Sequence, residues 1–293
     1  MRPTFALLAT ALAMPVVALA QERGRDFSFD DRVPRGAWLR VHTLGGDIRV
    51  TAASGDRVEV IGRKEGEDAA ELRITSVRRG DDVTICATFE ESECDAEGIH
   101  RSRGRRRHDE ASADFEIRLP RGVKIGVASG NGDVSVTGAT VEVVATTGNG
   151  IVRVASTGGP VRASSGNGDI HVSEAGGEVT ARSGNGDVNI VTGEGPVSAY
   201  TGNGRIDARM SSLSGTEDMA FRTGNGDVTL VLPSDFEGEI DVQIPNGRLE
   251  TDFPLRVQGR IDPHRVRATI GRGGRRITIT SGSGGAEIRK AGE

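Results

Sequence analysis

A chain of 293 residues carries 37 basic and 42 acidic side chains, a formal net charge of -5, with 42 glycines and only 3% aromatic residues. The acidic balance excludes nucleic acid as the implied partner. The shortage of aromatics excludes a thick enzyme-like core and points to Val, Ile, Leu and Ala buried in narrow layers, as in thin stacked sheets.

Residues 1–20 have the pattern of a secretory signal peptide. Arg2 supplies the positive charge, Phe5 to Val17 is almost wholly apolar, and Ala18-Leu19-Ala20 offers small residues at the cleavage junction. Cleavage is expected before Gln21, and without Arg2 the basic count falls to 36 against 42 acidic residues, net -6. No cysteine follows the junction to take a lipid, and no later run of about 18 apolar residues is present for a membrane helix. The expectation is a soluble exported protein, periplasmic or at the cell surface.

A polar leader is expected over residues 21–34, followed by an irregular amino-terminal β region over 35–122. Period-two alternation in Trp38 to His42, Asp47 to Thr51, Arg57 to Ile61, Leu72 to Val77, Val83 to Phe89 and Phe115 to Leu119 predicts short strands. Cys86 and Cys94, eight residues apart in an exported chain, are expected to form a disulfide closing a short loop. Residues 90–110 break the alternation with an acidic run and then Arg101, Arg103, Arg105, Arg106 and Arg107, and are read as a solvated charged loop.

From residue 123 to about 290 a repeat takes over. Gly-Asn-Gly recurs with its asparagines at Asn131, Asn149, Asn167, Asn185, Asn203 and Asn225, at a period of 18 residues that loosens to 22 at the last step. Five and three residues before each first Gly stand apolar side chains such as Val161 and Ala163. A hydroxyl (Ser129, Thr147, Ser165, Ser183, Thr201 or Thr223) precedes it directly. Beyond the tripeptide the alternation resumes with Val134 and Val136, Ile170 and Val172, and their equivalents. Two inward-facing strands and two turns in 18 residues make one rung of a parallel single-chain β-solenoid, an all-β fold. Asn-Gly is also a hairpin signal, so an antiparallel meander competes; stacking is preferred because only stacking demands the same residue type in register turn after turn. Leu44-Gly45-Gly46-Asp47 is a degenerate early copy, while Pro245-Asn246-Gly247 and then Ser281-Gly282-Ser283-Gly284 are late ones.

The glycines permit positive φ at a sharp corner, and Asn is one of the few other residues that tolerates it. Stacked asparagines can also form an amide ladder along the rod axis. The six asparagines are therefore expected to be structural. Asp133, Asp169, Asp187 and Asp227 raise calcium as an alternative, but Ile151 and Arg205 interrupt that column. No metal or cofactor is expected. There is no G-x-S-x-G, H-E-x-x-H or Walker loop, and the outward column Ser135, Arg153, His171, Asn189, Asp207 and Thr229 holds no cluster of carboxylates.

The run Phe115-Glu116-Ile117-Arg118-Leu119-Pro120-Arg121-Gly122-Val123, the Ser-Gly-Asn-Gly-Asp-Val copies after it, and the closing Ile277-Thr278-Ile279-Thr280-Ser281-Gly282-Ser283-Gly284 resemble the bacterial putative-adhesin domain family of β-strand repeats, related to the head-GIN auto-transporter adhesin domain. The resemblance covers roughly residues 35–290. It implies a β-solenoid in a cell-envelope setting and supplies no catalytic or ligand residues. The expected function is a non-catalytic envelope interaction module whose partner is a glycan or a protein. The alternative is a periplasmic glycan-active β-helix enzyme, lyase or hydrolase.

Overall fold

The computed structural model describes residues 21–23, 26–89, 92–101, 111–257, 262 and 264–292. The expected signal peptide and most of the arginine run lie outside them. The chain is a flattened β-solenoid whose two walls are 13-stranded sheets. In each regular rung one strand precedes the Gly-Asn-Gly corner and belongs to the first sheet, and one follows it and belongs to the second. Val143–Asn149, Val161–Asn167, Val179–Asn185 and Val197–Asn203 thus pair in parallel, as do Val152–Thr157, Ile170–Ala175, Val188–Thr192 and Ile206–Met210. Equivalent residues face one another, Asn149 against Asn167 and Val152 against Ile170.

The alternation seen in the sequence sets which side chains meet between the walls. Val161, Ala163, Ile170 and Val172 are all at most 2% exposed, and so are their copies in neighbouring rungs. Each fully buried Val or Ile contributes about 1.5–3 kcal/mol. The inward column that holds alanine in four successive rungs, Ala145 to Ala199, takes a buried aromatic at Phe221.

The stack does not follow chain order at either end. The rung 38–52 lies directly against the rung 124–137, with Leu39 beside Ile125 and Ile48 beside Val134, so the early Gly45-Gly46 copy is a true rung. On its other side lie Asp82–Thr88 and Ala111–Leu119. Pairing then turns antiparallel through Arg73–Arg79 and Val58–Gly66, and Asp26–Asp31 adds beyond the latter. The stretch expected to be only a polar leader therefore contributes a strand, because Phe27 and Phe29 alternate into the core at 1% and 4% exposure.

At the other end the last copy, Arg276–Ser283 with Ala286–Lys290, stacks on the rung 219–232 and separates it from Gly238–Gln243 and Leu249–Thr251. Chain order would have placed Pro245-Asn246-Gly247 there. Pro245 stands where the Gly-Asn-Gly corners have their first Gly, and the chain makes a turn instead, with the Gly247 N–H bonded to the Ile244 carbonyl. Ser281-Gly282-Ser283-Gly284 keeps the hydroxyl and both glycines, so it is the copy that fits flush. Arg265–Ile270 and Arg256–Val257 finish that wall antiparallel.

Two insertions depart from the rod. Residues 211–218 lengthen one turn, and the buried Arg275 guanidinium holds that segment through the Ser214 and Gly215 carbonyls. The charged loop is more ordered than expected: Ser92–Cys94 and Ile99–Arg101 form a hairpin. Cys86 and Cys94 are joined in a disulfide. The hairpin covers the outward side of Asp82–Thr88, where the Thr84 hydroxyl donates to the Ala96 carbonyl. Among the described residues no helix is long and apolar enough to cross a membrane.

Candidate functional site

The repeated corner is a set of parallel ladders. The second Gly of each tripeptide takes positive φ, +143° at Gly168 and +149° at Gly186, whereas no corner asparagine does. Asn is thus not present for left-handed backbone; its amide is what the corner uses. Asn149 Nδ2 donates to Asn131 Oδ1 at 2.7 Å, Asn167 to Asn149 and Asn185 to Asn167 at 2.8 Å, and Asn203 to Asn185 and Asn225 to Asn203 at 2.7 Å. The buried hydroxyls form a second ladder. Ser165 Oγ donates to the Gly150 carbonyl one rung back at 2.9 Å, and Ser183 and Thr201 repeat the bond at Gly168 and Gly186. The aspartates make a third, with Asp133 Oδ1 accepting from the Ile151 N–H and Asp187 Oδ1 from the Arg205 N–H, both at 2.8 Å. The oxygens considered for calcium therefore already accept backbone hydrogen bonds.

The amide ladder is exposed, so water replaces part of what a lost bond gave, and each bond contributes about 0.5–1.5 kcal/mol. Asn167 makes one as donor and one as acceptor. Asn167→Leu is expected to lower unfolding free energy by about 1–2 kcal/mol in urea. Asn225→Leu, at the end of the asparagine column, should cost about half as much. Equal effects, or none, would remove the ladder as the reason for Asn.

Where a carboxylate of the described residues departs from its ordinary value it goes down. The Arg205 N–H lowers Asp187 against burial, with the Arg205 guanidinium adding to it. Burial raises Asp82, Asp95 and Asp241, but it is outweighed by the Trp38 N–H and Arg40, by the Glu97 and Gly98 N–H groups and His100, and by Arg265 and Arg267 respectively.

Both outer faces carry ion pairs along or between rungs: Arg153–Asp133 and Arg205–Asp187, both at 3.0 Å, and Arg209–Asp207 on the second sheet, and Arg276–Glu239 at 3.0 Å on the first. On the first sheet, Arg182, Tyr200 and Arg222 sit side by side on successive rungs. Their guanidinium carbons lie 5.0 Å and 5.9 Å from the centroid of Tyr200, the only tyrosine in the chain. Neither guanidinium makes an ion pair or hydrogen bond with the described residues, whereas Arg162 on the same face is bound to Glu142 at 2.5 Å. The sequence reading passed over this cluster. Its signal is the position two residues before each first Gly, where Ala128, Thr146 and Ser164 give way to Arg182, Tyr200 and Arg222.

Nearer the amino-terminal end of that face, Trp38 is flanked by Arg40 and Lys124 at 5.0 Å and 5.4 Å, with Asp82 bound to Arg40 at 3.0 Å and to the Trp38 N–H at 2.9 Å. His42 lies against Gly98 of the hairpin, and its Nε2 is buried without a hydrogen-bond partner. The nearby Asp95, Glu97 and His100 could converge on a cation. Their atoms are already engaged, Asp95 with His100 at 2.9 Å and with the Glu97 N–H at 2.8 Å, and Glu97 with Arg79 at 2.8 Å.

The sequence model of the family described as Toastrack DUF4097 matches residues 111–289. No curated protein matches the chain. Among solved structures, a crystal structure of a putative adhesin from Bacteroides fragilis is similar over 92% of this chain and 98% of that one, at 13% identity and a TM-score of 0.48. A putative cell adhesion protein from Clostridium sporogenes is similar over 90% of this chain and 99% of its own, at 11% identity and a TM-score of 0.28.

Proposed function

The chain belongs to the Toastrack DUF4097 family, and from that premise and the outer faces of its rod we propose that it is an exported, non-catalytic adhesin-like module of the cell envelope. The observation that carries the reading is the first sheet's outer face. It is a wall on which Arg182, Tyr200 and Arg222 of three parallel strands are held in register without acidic partners among the described residues. Side chains fixed on a rigid sheet lose little freedom on binding, which favours adhesion to an extended surface over turnover of a small molecule. In this reading residues 1–20 direct export and the stack over 123–290 is the binding rod. Corner residues, including the six asparagines, maintain spacing.

The test is cell fractionation with external protease, followed by incubation of purified protein with isolated envelopes and with a polysaccharide panel. The expected result is protein outside the cytoplasm, retained on envelopes through washing, with no release of reducing ends. Polysaccharide cleavage, or loss from envelopes on the first wash, overturns the reading.

A further inference from the structure

On the first sheet's outer face, Arg182, Tyr200 and Arg222 form a continuous row with Ser164 before them and Thr280 and Gln243 after. No member of this row is acidic. The two arginines occupy strand positions two spacings apart, roughly 10 Å. Tyr200 stands between them with guanidinium groups over its ring, a cation–π arrangement that fixes long side chains at little entropic cost. The N–H donors of both guanidiniums and the Tyr200 hydroxyl have no hydrogen-bond partner among the described residues.

Resting on the adhesin-like reading, we propose that this row binds a carboxylated polysaccharide laid along the rod axis, with Arg182 and Arg222 each taking a carboxylate and the flanking hydroxyl and amide groups taking sugar hydroxyls. Arginine's planar fork matches a carboxylate in a two-point hydrogen bond. Two pyranose units in an extended chain span about the distance between the arginine rows, so alternate sugars meet the two guanidiniums. Neutral Ser164, Thr280 and Gln243 can donate to and accept from sugar hydroxyls. Single-stranded nucleic acid fits less well, because it wants a continuous basic track with open ring faces. Here the charges are two, and both lie over the one ring. An anionic bilayer wants a larger basic cluster.

The probe is an oligogalacturonate of about eight sugars, titrated at low and physiological salt, against neutral dextran, a single-stranded DNA oligonucleotide and phosphatidylserine vesicles. Binding to the oligogalacturonate alone is expected, weakening as salt rises. The Arg182→Gln/Arg222→Gln double variant should raise Kd at least tenfold, equivalent to about 1.4 kcal/mol. Arg162→Gln, whose arginine is bound to Glu142, should change it less than twofold. Because Arg182 and Arg222 are exposed, the double variant should melt like the parent, which separates lost binding from lost folding. Unchanged affinity in the double variant, or tighter binding of DNA or vesicles, overturns the proposal. If oligogalacturonate fails to bind while isolated envelopes still retain the protein, only the ligand class falls; if envelopes also release it, the adhesin-like reading falls with it.

Discussion

Gly186→Ala is expected to lower unfolding free energy by about 2–6 kcal/mol, whereas Gly55→Ala should change it by less than about 1 kcal/mol. A Cβ built at Gly186 would sit 2.3 Å from the Gly168 carbonyl oxygen and 2.5 Å from its carbon. Both atoms are backbone held in the parallel ladder, so no rotamer can clear the clash, and the rungs would have to part by on the order of 1 Å. At +149° the residue also holds a φ that side-chain-bearing residues rarely adopt, which adds about 1–3 kcal/mol of strain. Overpacking adds a similar amount, so the total is about 2–6 kcal/mol, which reaches the range of severe substitutions. Because each rung contacts only its neighbours, the damage falls on both interfaces of one rung in mid-stack. At Gly55 an added methyl meets nothing within 4 Å and φ is ordinary. Circular dichroism and urea unfolding of the two variants test this; a Gly186→Ala protein that unfolds like the parent would sink the account of the corner.

The same glycines explain why so much of the fold was legible. The second glycine of the corner has no room for a Cβ and recurs in each flush rung from Gly46 to Gly284, so its spacing is visible along the chain. That spacing, with the inward Val and Ala columns, specifies the two walls and their register. Stacking order at the ends was harder to see, since Pro245 and Ser281 reveal their places only through what the neighbouring rung tolerates. Phe27 and Phe29 lie in an otherwise polar stretch, and their two-residue alternation was too short to stand out against it. The Arg182–Tyr200–Arg222 row was invisible to repeat analysis for the opposite reason. An outward position is free to vary, and here the informative feature is the change at that position, which becomes a cluster only when successive rungs are laid side by side. His42 was out of reach in another way, because the hairpin that covers it is brought there by the Cys86–Cys94 bridge rather than by the repeat.

Stability is expected to fall by about 2 kcal/mol between pH 7 and pH 5, and His42→Asn should remove most of that slope. Burial beneath the hairpin, helped by the positive charge of Arg40 and opposed by Asp95, pushes the His42 imidazole down to about 4. In the unfolded chain the imidazole takes up its proton near pH 6.5. Between these values the unfolded state binds more protons than the folded one, so stability is complete above pH 6.5 and is lost as pH falls towards 4. The full loss is about 3 kcal/mol, from the distance between the two pKa values. Asp82, Asp95, Asp187 and Asp241 have lowered pKa values, and they give up their contribution only below about pH 4, where the unfolded carboxylates protonate. The window from pH 7 to pH 5 therefore separates the histidine from them. Urea unfolding of the oxidised parent and His42→Asn at pH 7, 6 and 5 measures the two slopes. His42→Asn will be less stable than the parent at pH 7, since it alters a buried polar group, so the slope rather than the intercept carries the test. Parallel slopes in the two proteins would mean that His42 is already protonated or already solvated in the folded chain, and the hairpin would then not be the cover described here.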